Sequence, residues 1–174
     1  MAQELTPTEQ WLFTELNNFA DRYFEQENRT GAFVTKSILG LIADYGDRQG
    51  YDVCVGGFAD RYEKGWLFDL VWYKEDERRN LKSIELALEV EQAYGIKHIK
   101  YDFEKLLVSN AKINCMICLA GNLPIQEVIT YFEMAVAAYE GLRLGSRFFI
   151  LIWDDYNDGS FIHHIIEKSN FKAI

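Results

Sequence analysis

Cysteine and proline are scarce in this sequence: the 174-residue chain has three cysteines and two prolines. An odd number of cysteines argues against a disulfide framework. Cys115 and Cys118 form a C-x-x-C pair, but the pair falls in a strand-like run, where residues three positions apart point to opposite faces. This spacing favours buried apolar packing over a zinc or redox site, and we expect a protein of the reducing cytoplasm.

Positive charge is also scarce. Lys and Arg total 18 against 27 Asp and Glu, so the formal net charge is −9. Nucleic-acid affinity arises largely from Lys and Arg side chains that neutralise phosphates. The charge balance therefore argues against a tight, standalone DNA binder, although a local basic patch and a bound metal could still hold DNA.

Long apolar runs and several well-known motifs are missing. No run approaches the roughly 18–20 apolar residues that a membrane-spanning helix needs, and the first eight residues carry no basic, apolar leader. The sequence has no G-x-G-x-x-G or G-K-[ST] phosphate loop, no G-x-S-x-G elbow and no H-E-x-x-H pair. These absences argue against a membrane or secreted protein, a nucleotide-binding fold, a serine hydrolase and a zinc protease.

The sequence does have apolar and aromatic residues, at 49% and 15%, which indicates a globular protein. At this length we expect a single domain, 1–174, that buries roughly 70% of its unfolded surface. It divides into N-terminal helices (6–49), a sheet core (51–121), and a C-terminal helix and β-hairpin (122–174). Two helices, three strands, a helix, a strand, a helix and two strands follow in order. This order predicts an α/β fold with a mixed central β-sheet flanked by α-helices.

Local signals place several of these elements. The run from Thr6 to Glu9 predicts a helix start, with Thr as the cap, Pro at the first position and Glu three residues after the cap. The apolar run Ile113–Leu119 predicts a central strand that is buried on both faces. Asp102 is predicted to cap the helix between the third and fourth strands.

Three carboxylates are predicted to lie in two neighbouring strands, Trp66–Tyr73 and Ser83–Val90, the second continuing to Glu91. Strand side chains alternate between faces, so Glu89 and Glu91 share one face. Asp69 interrupts an apolar strand, where an ionised carboxylate is costly unless a cation or a donor lies beside it. If the strands pair, the three carboxylates can converge into an oxygen site for Mg²⁺ or Mn²⁺.

The runs G-W-L-F-D-L-V-W, L-A-L-E-V-E and Y-D-F-E-K-L-L, in this order, resemble the PD-(D/E)XK nuclease-like superfamily, the fold of many restriction endonucleases. The resemblance covers roughly residues 51–121, and its motif is short and degenerate. Asp69 corresponds to the first metal-binding acid of the family and Glu89 to the second. Glu91 stands where the family usually has Lys, although some restriction endonucleases of this fold carry Glu there.

The resemblance implies a restriction-endonuclease-like fold and a metal-dependent, endonuclease-like phosphodiesterase that acts on DNA with Mg²⁺ or Mn²⁺. The implied metal ligands are Asp69, Glu89 and Glu91, with Glu91 as a further ligand or a general base. In several branches of the family a Lys on the following helix replaces the missing strand Lys. Lys105 either fills that catalytic role here or lies on the helix surface. Cutting both DNA strands would imply a homodimer or a fused partner.

An alternative is a non-catalytic domain of the same fold that serves as a protein-interaction module. The acidic composition and the E-x-E in place of E-x-K favour it. Asp69 argues against it, because an apolar strand offers no evident structural reason for a charge. A basic groove beside Asp69 would favour the nuclease, and a flat apolar patch away from Asp69 would favour the module.

Overall fold

The computed structural model describes residues 3–23, 30–58, 61–63, 65–155 and 157–169. Within these ranges the chain forms four helices and six strands. In chain order they are α1 (Pro7–Tyr23), α2 (Gly31–Arg48), β1 (Asp52–Val55), β2 (Leu70–Glu75), β3 (Leu81–Glu91), α3 (Ile96–Leu107), β4 (Ile113–Leu119), α4 (Ile125–Ala138), β5 (Arg147–Trp153) and β6 (Phe161–Glu167).

The six strands form one mixed sheet in sequence order, β1-β2-β3-β4-β5-β6. β1, β2 and β3 pair antiparallel, β3, β4 and β5 pair parallel, and β6 returns antiparallel to β5. The parallel pairs require crossover connections, which α3 and α4 supply. The expected α/β class, with a mixed sheet flanked by helices, is confirmed.

The sheet separates two apolar cores. One face packs against α1 and α2, and the other packs beneath α3 and α4; we call these the α1/α2 face and the α3/α4 face. Alternate residues of each strand enter alternate cores, so the α1/α2 face receives Leu86, Leu88, Cys115 and Ile117, while the α3/α4 face receives Ala87, Met116, Cys118 and Ile150. Cys115 and Cys118 thus lie fully buried on opposite faces, as their spacing predicts.

The predicted start of α1 is confirmed by a reciprocal capping box. Thr6 N donates to Glu9 Oε2 at 2.7 Å, and Glu9 N donates to Thr6 Oγ1 at 3.3 Å. Arg147, at the start of β5, then donates to both oxygens of the fully buried Glu9 at 2.7 and 2.8 Å. Arg147 also pairs with Glu167 at the end of β6, so one guanidinium ties α1 to two strands.

Two sequence expectations at the site are wrong. Helix α3 begins at Ile96, after Gly95, and Asp102 lies inside it instead of capping it. Strand β2 begins at Leu70, so Asp69 lies in the bend just before the strand, not within it. The expected strand start at Trp66 is wrong because residues 67–69 form a bend and the β1–β2 ladder begins only at Leu70. None of the helices in the described ranges is long and apolar enough to cross a membrane.

Candidate functional site

Asp69 is held at the end of the sheet by two backbone contacts. Its carboxylate oxygen Oδ2 accepts a hydrogen bond from Val90 N at 2.9 Å, and its carbonyl oxygen accepts one from Gly56 N at 3.2 Å. The carboxylate takes over a β3 donor where the β2–β3 ladder ends at Leu70. Asp69, just before β2, is thus bonded to β3 through Val90 and to the residue that follows β1, Gly56. These contacts fix the orientation of its carboxylate.

Glu89 lies directly across from Asp69. The last pair of the antiparallel register is Leu70 with Leu88, so one further step brings these two residues opposite each other on the α3/α4 face. Glu89 is fully buried, and its Oε1 has no polar partner within the described chain. A buried carboxylate is costly unless a cation lies beside it.

Lys105 brings a positive charge to this pair from α3. Its Nζ lies 2.7 Å from Glu89 Oε2 and 2.8 Å from Asp102 Oδ1. Lys105 therefore pairs with one of the two Glu89 oxygens, and Glu89 Oε1 is left without a partner among the described residues. The Lys105 side chain is 20% exposed, so it lies in the mouth of the site and not on the helix surface.

Asp102 is the residue of this site that sequence reasoning missed. The sequence predicts a helix cap there, but Asp102 lies one helical turn before Lys105 and pairs with it at 2.8 Å. The i, i+3 spacing of an acid and a base on one helix was a usable signal. That signal could be read only once the helix start was placed at Ile96.

Burial dominates the protonation of the two facing carboxyl groups. Burial, reinforced by the nearby Asp69 carboxylate, raises the pKa of Glu89 to about 8 despite the opposing charge of Lys105. Burial also raises the pKa of Asp69, against the hydrogen bond from Val90. Burial lowers the pKa of Lys105, but its contacts with Asp102 and Glu89 outweigh this and hold that pKa above its ordinary value. Without a metal, the pair therefore retains a proton at neutral pH while Lys105 stays charged.

Glu91 shares a strand face with Glu89 but has its own partner. Its Oε1 accepts a hydrogen bond from Ala93 N at 2.6 Å, which ties the carboxylate to the chain that leaves β3. No hydrogen bond or ion pair in the described part of the chain joins Glu91 to Asp69, Glu89 or Lys105. The structure thus brings Asp69, Glu89 and Lys105 together and leaves Glu91 beside them.

Two carboxylates form the core of the candidate site. Among the described residues, no group of three or more His, Cys, Asp or Glu side chains is arranged to hold a metal ion. Mg²⁺, however, usually keeps several waters and is bound through one or two carboxylates together with substrate phosphates. Asp69 and Glu89 are two carboxylates that could supply that smaller set of oxygen ligands.

The site also lies where ligands commonly bind in open α/β sheets. Glu89 and Glu91 are at the carboxyl end of β3, which runs parallel to β4 and β5, and this end of a sheet is the usual place for a ligand crevice. Comparison with protein-family models gave no match, and no significant similarity was found to a curated protein or to a solved structure.

Proposed function

We propose that this protein is a metal-dependent phosphodiesterase of the restriction-endonuclease-like type that acts on DNA. The observation that supports it most directly is the buried pair Asp69–Glu89 with the Lys105 ammonium 2.7 Å from Glu89. Two acids and a Lys at one sheet end are the set that positions a cation and a phosphate together.

The residues present fit a Mg²⁺ or Mn²⁺ ion. Glu89 Oε2 pairs with Lys105 and Asp69 Oδ2 accepts the Val90 amide, but Glu89 Oε1 has no partner within the described residues and remains for a hard cation. A bound ion supplies a water of lowered pKa and neutralises charge on the phosphate oxygens. Because Glu89 has a pKa of about 8, the ion must replace a proton there.

The chain's own residues perform the remaining tasks. Val90 N fixes the direction of the Asp69 carboxylate. Asp102 holds the Lys105 ammonium beside Glu89, where its charge can stabilise the phosphate oxygens as negative charge develops on them. Glu91, beside this group, is the residue that could accept a proton from the attacking water or add a ligand.

The test is DNA cleavage in Mg²⁺ and in Mn²⁺, with supercoiled plasmid and single-stranded circular DNA as substrates at low salt. We expect wild type to cleave and Asp69→Asn to be inactive, because the amide removes the charge that a hard cation needs. Lys105→Gln keeps the chain length but removes the charge, and should slow cleavage roughly 10²- to 10³-fold.

Lys112→Gln is the matched control for Lys105→Gln. Lys112 also pairs with a glutamate of β3, its Nζ lying 2.9 Å from Glu85 Oε1, but this pair is not part of the candidate site. The Lys112→Gln variant should therefore cleave DNA as fast as wild type. Equal cleavage by wild type and Asp69→Asn would remove the site from the proposal, and no cleavage by wild type in either metal would refute the enzyme.

A second candidate function, the protein-interaction module, is favoured by one surface feature. A groove of about 650 Å³ runs between α3 and α4 and is lined mainly by apolar side chains, among them Val108, Tyr131 and Met134. Val108 and Met134 are 56% and 67% exposed. The carboxylate pair and Lys105 are not among its lining residues, so this surface could bind a protein partner without involving the site.

A further inference from the structure

The surface around the carboxylate pair carries an unusual share of exposed apolar side chains. Ten large apolar residues of the described chain are exposed, and five of them belong to two short segments beside the site. The first segment, 66–67, lies two residues before Asp69, and the second, 92–101, runs from the end of β3 into α3. The five residues are Trp66, Leu67, Tyr94, Ile96 and Tyr101.

Tyr101 is linked to the site through Lys105. The Lys105 Nζ lies 5.8 Å from the centroid of the Tyr101 ring and 2.7 Å from Glu89 Oε2. The Tyr101 side chain is 71% exposed, so most of its ring is available to a ligand. If one unit of a polymeric ligand stacked on this ring, the next unit of that ligand would lie close to the carboxylate pair.

Trp66 presents a second ring on the segment that enters Asp69. One side of its indole packs against Tyr73, with the ring centroids 5.0 Å apart, and 45% of the residue is exposed. Tyr73 therefore contacts the Trp66 ring, and nearly half of the residue remains accessible to a ligand. Since Trp66 precedes Asp69 by three residues while Tyr101 follows Glu89 on α3, exposed rings lie on both segments that flank the carboxylate pair.

The 92–101 segment is also free of negative charge, in contrast to the chain as a whole. It contains Lys97, His98 and Lys100 and no Asp or Glu, and all three of these side chains are exposed. Lys100 Nζ lies 3.7 Å from Glu104 Oε1, and both residues line the α3–α4 groove, so Lys97 is the Lys of this segment that is free of the groove. In a chain of net charge −9, this is a local basic patch interleaved with aromatic rings.

This combination distinguishes single strands from duplex DNA. Aromatic side chains bind single-stranded nucleic acid by stacking on exposed bases, whereas the bases of a duplex are already stacked on each other. Duplex binding relies on many contacts between basic side chains and phosphates, and an acidic chain with a small basic patch offers few of them.

We infer that single-stranded DNA binds at the carboxylate site, with unpaired bases stacked on Tyr101 and Trp66 and a flanking phosphate beside Lys97. The inference rests on the proposed function, because it names the substrate of that site. It also changes one expectation, since cutting a single strand needs one active site and does not require a homodimer.

The test is fluorescence anisotropy with a labelled oligo-dT of about twelve nucleotides, within the usual site size, and a blunt hairpin duplex of the same length. Binding is measured in Ca²⁺ at low salt, and gels verify that the DNA stays intact. We expect oligo-dT to bind more tightly than the hairpin. Tyr101→Ala should weaken oligo-dT binding roughly five- to hundredfold, the loss expected for one stacked base, and Tyr101→Phe should bind like wild type.

Tyr139→Ala is the matched control, since Tyr139 is exposed but lines the α3–α4 groove and not the site. Hairpin binding as tight as oligo-dT binding, or equal losses in Tyr101→Ala and Tyr139→Ala, would overturn the inference. Tighter binding to an RNA oligonucleotide of the same length would overturn the choice of DNA. If oligo-dT binding depends on Tyr101 but no DNA is cleaved in Mg²⁺ or Mn²⁺, this inference is supported and the proposed enzyme is refuted. If duplex DNA is cleaved and single strands are not preferred, the proposed enzyme is supported and this inference is refuted.

Discussion

Replacing Glu89 with glutamine should change how the stability of the protein depends on pH. Glu89 has a folded-state pKa of about 8, against an ordinary value of 4.5. Between these values the folded protein binds a proton that the unfolded chain does not bind. The stability that this proton contributes is complete below about pH 4.5 and is lost as the pH rises through about 8.

The size of the effect follows from the same interval. At about 1.4 kcal/mol per pH unit, the range from 4.5 to about 8 corresponds to on the order of 5 kcal/mol of unfolding free energy. The value belongs to the coupled pair, because the Asp69 carboxylate contributes to it. The Glu89→Gln substitution keeps the shape of the side chain but removes its titrating proton, so the variant lacks this pH dependence.

The assay is urea unfolding without divalent metal at several values from about pH 5 to about pH 9. The unfolding free energy of Glu89→Gln minus that of wild type should rise steadily with pH, approaching on the order of 5 kcal/mol. Taking this difference cancels the titration of groups that do not interact with Glu89; the contribution of Asp69, which is coupled to Glu89, stays in the difference.

Glu85→Gln is the control on the same strand. Although burial raises the pKa of Glu85, hydrogen bonds from Ser83 and Lys112 outweigh it and lower that pKa. Its contribution is therefore complete above about pH 4.5 and lost only in acid, and its difference from wild type should stay flat between about pH 6 and pH 9. A flat difference for Glu89→Gln as well would refute the reasoning, because the Lys105 ion pair would then outweigh the cost of burial.

Two further predictions follow from the site and from the fold. Mg²⁺ at about a hundred times its dissociation constant should stabilise wild type by about 2.7 kcal/mol and raise its melting temperature by several degrees. The stabilisation should be smaller at pH 6 than at pH 8.5, because the ion displaces the Glu89 proton. An equal shift of the melting temperature in Asp69→Asn would remove the metal from this site. Arg147→Ala leaves the fully buried Glu9 without its partner and should cost roughly 3–5 kcal/mol in urea unfolding. The Arg147→Met, Glu9→Met double variant should lose less stability than the sum of the losses in Arg147→Met and Glu9→Met, and strict additivity would show that the pair is not coupled.

Much of the fold could be predicted because its signals are local. The capping box at Thr6 and Glu9 needs four consecutive residues, and the apolar run Ile113–Leu119 predicted strand β4 with the bounds that the structure has. The alternation of side chains along β3 likewise predicted that Glu89 and Glu91 share a face. Each of these features depends on chain geometry over a few residues.

The interactions of the site depend on contacts between distant segments. The short C-x-x-C spacing showed that Cys115 and Cys118 could not meet, but no spacing predicted that Asp69 would accept the Val90 amide, 21 residues away. The sequence left open whether Lys105 reaches the carboxylates or lies on the surface, and packing of α3 over β3 decided it. Asp102 was misassigned for the same reason, because the crossover from β3 to β4 sets where α3 begins.

By itself, then, the sequence determined the order of the elements, the face on which each strand residue lies and the acidic character of the chain. The tertiary structure alone decided the state of the carboxylates. A carboxyl group's pKa depends on how much water it loses and which charges surround it, and both are set by segments far apart in the chain. Glu89 is fully buried beneath Lys105 of α3, and that burial turns an ordinary acidic side chain into one that holds a proton at neutral pH.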